Sequence, residues 1–216
     1  PIQLQGEITG MIGLANKFSN YTEQDAEFLK PLRDALAGLF YAVELETARL
    51  EAENQLLRMA MTDALSGLNN RRAFLEYLGS LSQDEISYFV MLDIDYFKRI
   101  NDRFGHDVGD SVIKQLGSIL KESIPTPHFT ARVGGEEFAI VLHEQSTESV
   151  TTKLTKLMET SRHTEFALPD KSSVTVSMGV AAYTCDNTST ALTQADKALY
   201  KAKENGRDQI AWFEND

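Results

Sequence analysis

The apolar positions of this chain change their period twice, and each change predicts a different architecture. Over residues 1–15 two short apolar runs are separated by Gly6-Glu7, which predicts a β-hairpin. A polar loop follows, and Thr22 with Asp25 three residues later marks a helix start. Leu29, Leu36, Val43, Leu50 and Leu57 then recur at every seventh position. Leu32 and Leu39 fill the second heptad position before Glu46 and Glu53 take it over. Such a seam predicts one long helix that pairs with a second copy of itself, weakened where the glutamates enter. The alternative is a single amphipathic helix lying on its own domain. Beyond Met61 the pattern becomes mixed. Apolar runs at 88–92, 129–133, 138–142 and 174–182 predict strands, and helical spacing at 108–120, 150–158 and 191–203 predicts helices between them. The expected fold class is α/β (α+β), a sheet covered by helices.

Composition narrows the function classes. The chain has 216 residues, 42% hydrophobic and 25% charged, as a globular protein has. No apolar run reaches the length of a membrane span. The first residue is Pro and no basic-then-apolar leader follows it, so the expectation is a fragment of a longer, cytoplasmic protein. A single cysteine, Cys185, rules out an internal disulfide and suits a reducing compartment. The formal charge of −11 argues against a nucleic-acid polymer as partner. A small anionic ligand remains possible if metal ions and local cations offset its charge.

Three clusters carry candidate chemistry. Asp93 and Asp95 end an apolar strand and, by strand alternation, share a face; Glu136-Glu137 sit in the turn between two later strands. Convergent carboxylates repel, and a hard divalent cation is the natural partner. Their other reading is solvated loop acids. Gly134-Gly135 allow positive φ and close backbone approach to a ligand, or form a plain hairpin turn. In the third cluster Lys98 suits phosphate, while Asn101 and Asp110 offer what a base edge needs or serve as turn residues. Lys203 and Arg207, four apart near the C-terminus, could share a helix face toward phosphates or complement the helix dipole.

Taken in order, these strings resemble one family. Gly134-Gly135-Glu136-Glu137-Phe138, preceded by Arg132, resembles the signature of the GGDEF diguanylate cyclases in its GGEEF form. Thr62-Asp63-Ala64-Leu65-Ser66-Gly67-Leu68-Asn69-Asn70-Arg71-Arg72 is similar to the family's opening motif, with Ser66 where Thr is usual. Asp93-Ile94-Asp95-Tyr96-Phe97-Lys98, Asn101-Asp102, Gly105-His106 and Gly109-Asp110 match its central block. Ser177-Met178-Gly179-Val180-Ala181 and Ala195-Asp196-Lys197-Ala198-Leu199-Tyr200 to Gly206-Arg207 match the last two, with Asp208 where Asn is commoner. More weakly, residues 10–16 and 21–25 resemble the end of a GAF sensor domain.

The resemblance implies a palm-like nucleotidyl cyclase fold, with a mainly antiparallel central sheet flanked by helices. It divides the chain into a partial GAF-like hairpin fragment (1–22), a long signalling helix (23–60) and a GGDEF domain (61–216). It implies that two GTP condense into cyclic di-GMP and two pyrophosphates, in a homodimer joined through the long helix. Asp93, the Ile94 carbonyl and Glu136 would hold Mg2+ (or Mn2+). Asn101 and Asp110 would read guanine. Lys98, Lys203, Arg207, the N–H groups of Tyr96 and Phe97, and the Gly134-Gly135 turn would hold the phosphates. Glu136, Glu137 and Lys98 would act in catalysis. The alternatives are a catalytically inactive module that binds guanine nucleotide, and a cyclase for another dinucleotide. The family's inhibitory Arg-x-x-Asp motif is replaced here by Pro125-Thr126-Pro127-His128, so product inhibition by that route is not expected.

Overall fold

The computed structural model describes residues 1–4, 6–16, 18–81, 87–144, 146–183 and 188–214; Cys185 lies outside them. The chain divides into two compact units, 1–57 and 58–216. In the first, β1 (Ile2–Leu4) and β2 (Glu7–Gly10) form the expected antiparallel hairpin, turning at Gly6 with φ 92°. The expected long helix is α1 (Glu23–Met61), 39 residues long and with no buried residue. Its start follows the reading of Thr22: the Asp25 carboxylate accepts from the Thr22 backbone N–H at 2.7 Å and from its hydroxyl at 2.9 Å. Two Asp/Glu residues in the first turn and Arg58 in the last complement the helix dipole. No helix among the described residues is long and apolar enough to cross a membrane.

The second unit is built on a five-stranded sheet in the order β4-β5-β3-β6-β7. These strands are β3 (Ser87–Ile94), β4 (Phe129–Arg132), β5 (Glu137–Leu142), β6 (Val176–Tyr183) and β7 (Ile210–Trp212). All neighbours are antiparallel except β6 with β7. The central strand β3 is buried on both faces, so its sequence is a continuous apolar run. Alternate residues divide the core. Val90, Leu92 and Ile94 face Val112, Leu116 and Leu120 of α4 (His106–Ser123) and Leu154 and Leu157 of α5 (Thr147–His163). Phe89 and Val141 face Phe74 and Leu78 of α2 (Arg71–Ser80) and Ala191 and Ala195 of α6 (Thr188–Glu204). The remaining helix, α3 (Phe97–Phe104), follows β3 directly.

The expected strands and helices are all present, and the helices run longer than their apolar spacing marks. The segments α2, α3 and β7 were not predicted as elements. Asn70 starts α2 by accepting the Ala73 N–H at 3.0 Å.

Candidate active site

The C-terminal end of β3 gathers the candidate chemistry. Asp93 pairs with Glu137 across the β3–β5 ladder, and the Ile94 N–H donates to the Glu136 carbonyl at 3.3 Å. The two acidic segments therefore meet, as the sequence suggested. Lys203, in the last turn of α6, places its ammonium 2.8 Å from Asp93 Oδ2. Burial pushes the Asp93 carboxyl above its ordinary range; Lys203 pulls it back, and Glu137 and Asp95 push it further up. Glu136 is likewise raised, first by burial and then by the charge of Asp93, with Lys203 opposing. These shifts describe like charges held together with less cationic compensation than they need.

Asp95 lies on the face that strand alternation assigned it, with Asp93: Ser177, the cross-strand partner of Asp93, donates to it. The pairing with β6 continues one residue past β3, the Asp95 N–H donating to the Thr175 carbonyl at 2.9 Å, before Tyr96 turns the chain with φ 56°. Asp95 is buried and saturated: it accepts from Ser177 Oγ at 2.6 Å, Thr175 Oγ1 at 2.7 Å and the Asp208 N–H at 3.0 Å.

The Gly134-Gly135 turn shows no positive φ at either glycine. What Gly134 supplies is room: a Cβ there would lie 2.4 Å from Glu137 Oε2 and 3.3 Å from its Cβ. A Cβ on Gly135 would meet nothing within 4 Å, which leaves that side of the turn open to a ligand. Arg132 fixes the turn from below. Its guanidinium donates to the Gly135 carbonyl at 2.7 and 3.2 Å and to both Asp63 oxygens at 3.1 and 3.2 Å. Burial raises the Asp63 carboxyl, but bonds from the Ser66 N–H and hydroxyl and from Arg132 outweigh it, and the net shift is downward. The opening motif is thus a buttress for the signature turn.

Beside the carboxylates stands the start of α3. The first-turn N–H groups of a helix have no intrahelical acceptor, and those of Phe97 and Lys98 fall there. Lys98 is exposed. Arg207 does not lie on α6 with Lys203: the helix ends at Glu204 and Arg207 follows Gly206 with φ 65°. Its guanidinium instead sits 4.6 Å from the centroid of the Tyr96 ring, as does that of Arg99.

Farther along α3, Asn101 Oδ1 is buried without a hydrogen-bond partner. A Cβ on Gly109 would lie 1.9 Å from it, so glycine there makes room for this amide. A buried acceptor left open costs free energy unless a ligand satisfies it. Asp110, expected as a buried base partner, is exposed.

Among the described residues no group of three or more His, Cys, Asp or Glu is arranged to hold a metal. Two carboxylates and a backbone carbonyl form a smaller set, but one of hard oxygen donors. The Lys203 ammonium on Asp93 shows that the cluster already attracts a cation. That donor set fits Mg2+, which commonly takes one or two carboxylates and completes its shell with phosphate and water.

Comparison with known proteins agrees with this geometry. Residues 60–209 match the family model described as diguanylate cyclase, GGDEF domain. The chain belongs to the GGDEF diguanylate cyclase family. It is 28% identical over 226 residues to diguanylate cyclase A of Treponema denticola, covering all of this chain and 59% of that protein. It is 37% identical over 160 residues to the probable diguanylate cyclase DgcT of Escherichia coli, covering 70% of this chain and 35% of that protein. The chain thus spans 59% and 35% of these relatives' lengths, less than two thirds of either. Among solved structures, the coiled coil and GGDEF domain of DgcB from Caulobacter crescentus, in complex with c-di-GMP, superimposes with a TM-score of 0.73. The identity is 31%, over 84% of this chain and 98% of that one. GGDEF membership, the palm-like sheet and the preceding hairpin and helix are therefore established.

Arg162 and Asp208 were missed as partners by the sequence reading. Arg162 Nε donates to both Asp208 carboxylate oxygens, at 2.8 and 2.9 Å.

Proposed function

We propose that this chain is a diguanylate cyclase, condensing two GTP into cyclic di-GMP and two pyrophosphates. The observation that carries the reading is the junction of Asp93, Glu136 and Lys203 beside the start of α3, with the open Asn101 acceptor farther along that helix. Asp93, Glu136 and the Ile94 carbonyl would hold Mg2+ (or Mn2+), which when bound neutralises phosphate charge. Asn101 Oδ1 accepts from the guanine edge, and Asp110 offers a carboxylate at the exposed side of the base. Lys98, Lys203, Arg207 and the N–H groups of Tyr96 and Phe97 bind the triphosphate, over the Gly134-Gly135 turn. The 3′-hydroxyl of one GTP attacks the α-phosphorus of the other, forming a new P–O bond as the bond to pyrophosphate breaks. Glu136, held above the ordinary carboxylate range, suits acceptance of the hydroxyl proton, with Glu137 next to it. Incubation with GTP, ATP and Mg2+ followed by product identification tests the reading; cyclic di-GMP from GTP alone is expected. Binding of GTP without any product would favour an inactive nucleotide-binding module.

Replacing Asp110 with Ala is expected to weaken GTP binding by only about 1 kcal/mol, because its carboxylate is exposed. Replacing Asn101 with Ala should cost more. Isothermal titration of both variants checks the order, and equal losses would move the base elsewhere.

One domain supplies half of the reacting pair, so activity requires two. On α1 the side chains of Leu39 and Val43 are 60% and 57% exposed, on the heptad seam that suits a parallel homodimer. Specific activity should fall on dilution, and sooner with Leu36→Gln and Val43→Gln. Constant specific activity down to concentrations where sedimentation gives only monomer would exclude this. The hairpin before α1 suits the tail of a GAF-like domain, and the whole reads as a cytoplasmic signalling protein.

Product feedback through the loop before the signature turn is not expected. The His128 side chain is buried there, its Nδ1 accepting the His143 N–H at 3.2 Å and its Nε2 lying 3.4 Å from Glu144. Burial first, then Lys153 and His143, hold its pKa below the ordinary value against Glu144. Titration of cyclic di-GMP at two GTP concentrations should give weak inhibition relieved by GTP; tight noncompetitive inhibition would contradict this.

A further inference from the structure

The turn that carries Arg207 is held from a direction no sequence motif indicated. After α6 the chain passes through Gly206, Arg207 and Asp208 with φ of 107°, 65° and 48°. Two consecutive non-glycine residues in the left-handed region are unfavourable and persist only where the surroundings over-determine them. Here they are over-determined on three sides. The Arg207 N–H donates to the Ala202 carbonyl at 3.0 Å, capping α6. The Asp208 N–H donates to Asp95 Oδ2 at 3.0 Å, tying the turn to the buried carboxylate two residues beyond Asp93. From the third side Arg162, in the last turn of α5, grips Asp208 through three bonds. Its Nε donates to Oδ1 and Oδ2 at 2.8 and 2.9 Å, and its Nη2 donates to the Asp208 carbonyl at 3.0 Å.

We propose that Arg162 is a positioning residue: by holding Asp208 at its carboxylate and its carbonyl together, it fixes the left-handed turn that aims Arg207 at the triphosphate. The inference rests on the assignment of Arg207 to phosphate binding. The Arg162 and Asp208 side chains are 40% and 36% exposed, so the pair contributes little to global stability. A planar fork that grips side chain and backbone at once acts instead on geometry. Its product is the location of the Arg207 guanidinium over Tyr96, the residue that immediately precedes α3. Lysine cannot replace Arg162, because a single ammonium lacks the rigid fork that spans carboxylate and carbonyl.

The test uses 3′-deoxy-GTP, which carries the base and triphosphate but lacks the attacking hydroxyl. Its affinity is measured calorimetrically with Mg2+ for the full chain and for Arg162→Ala, Arg162→Lys, Asp208→Ala and the double variant Arg162→Ala/Asp208→Ala. Guanosine, which has no phosphate, serves as the second ligand. Arg162→Ala is expected to weaken 3′-deoxy-GTP about ten-fold, as for one charge-assisted hydrogen bond, with guanosine affinity and melting temperature unchanged. Arg162→Lys should not restore the loss. The double variant should bind no worse than Asp208→Ala, since both changes act through one turn. Unchanged 3′-deoxy-GTP affinity in Arg162→Ala, or an equal loss for guanosine, would overturn the positioning role while leaving the cyclase reading intact. Failure of the unaltered chain to bind 3′-deoxy-GTP would remove the cyclase reading and this inference together.

Discussion

Glu136→Gln is expected to lower cyclic di-GMP formation by at least about 10²-fold while raising the melting temperature of the metal-free protein. The loss follows from removing a charge from the set that would hold the metal and accept the hydroxyl proton. The gain follows from the same cluster. The Glu136 carboxyl is raised by burial, by Asp93 and by Glu137, with Lys203 only partly compensating. A carboxyl raised in the folded state keeps its proton at a pH where the unfolded chain has lost it. Its contribution to stability therefore falls as pH rises from the unfolded-state value through the folded-state value, and stays lower above it. Glutamine removes that penalty. The difference in melting temperature between variant and parent should thus be present at neutral pH and vanish in acid below the ordinary carboxylate range. Melting curves across that range, with chelator, measure it; equal melting temperatures at neutral pH would show that the carboxylates do not strain one another. Asp93→Asn should lose activity equally and, because the Asp93 carboxyl is raised even with Lys203 2.8 Å away, should also gain stability at neutral pH.

Gly179→Ala is expected to be among the most damaging single-methyl changes in the chain. A Cβ at this β6 position would lie 2.1 Å from the Leu199 backbone N, 2.2 Å from the Ala195 carbonyl O and 2.7 Å from Leu199 Cα. Leu199 N and Ala195 O are successive partners in the α6 ladder, so the methyl group would enter a helix hydrogen bond. Nothing flexible can yield: α6 lies on β6 through Ala191, Ala195, Ala198 and Ala202, all fully buried. The helix must lift, opening that seam and drawing Lys203 away from Asp93. Overpacking of this kind costs about 1–3 kcal/mol or more, equivalent to several degrees of melting temperature in a domain of this size. Turnover should fall further than stability does, because Lys203 travels with the helix. Gly135→Ala is the control, with nothing within 4 Å of its Cβ, and should melt as the parent does. Indistinguishable melting of Gly179→Ala and parent would mean that the sheet accommodates the methyl without moving α6.

Much of this arrangement could be read from the chain, for identifiable reasons. The central strands announce themselves because burial on both faces forces an unbroken apolar run, as at Tyr88, Phe89 and Val90. The meeting of Asp93 with Glu136 and Glu137 needed one fact the sequence left open, that the strand after the Gly134-Gly135 turn pairs with the strand carrying Asp93. Other features are set by tertiary context. Helix α3 has only eight residues, so the helical spacing of Phe97, Ile100 and Phe104 is too short a run to mark an element by itself. Strand β7 has three residues, and its parallel pairing to β6 depends on where α6 ends. Asp95 lies on the face alternation assigned it, but only the folded chain shows that Thr175, Ser177 and the Asp208 N–H occupy its oxygens. Asp110 is exposed on the side of α4 away from Val112 and Leu116, where the helical period of those apolar residues already puts it. Arg162 carries no local signal; only the folded chain brings it to Asp208.

Strand β7 has a practical consequence for anyone trimming this domain. The family match ends at residue 209, immediately before Ile210–Trp212. A clone cut at that homology boundary would keep every residue assigned to nucleotide and still lose its edge strand. Trp212, which meets Tyr88 edge-on at 5.8 Å, and the Phe213 N–H bond to the Val180 carbonyl at 2.8 Å would go with it. The Gln209 carbonyl that accepts the Met178 N–H at 2.9 Å would become a free chain end, adjoining the Arg207–Asp208 turn. Expression boundaries, purification tags and fusion junctions therefore belong after Phe213, where the chain has finished paying its debt to the sheet.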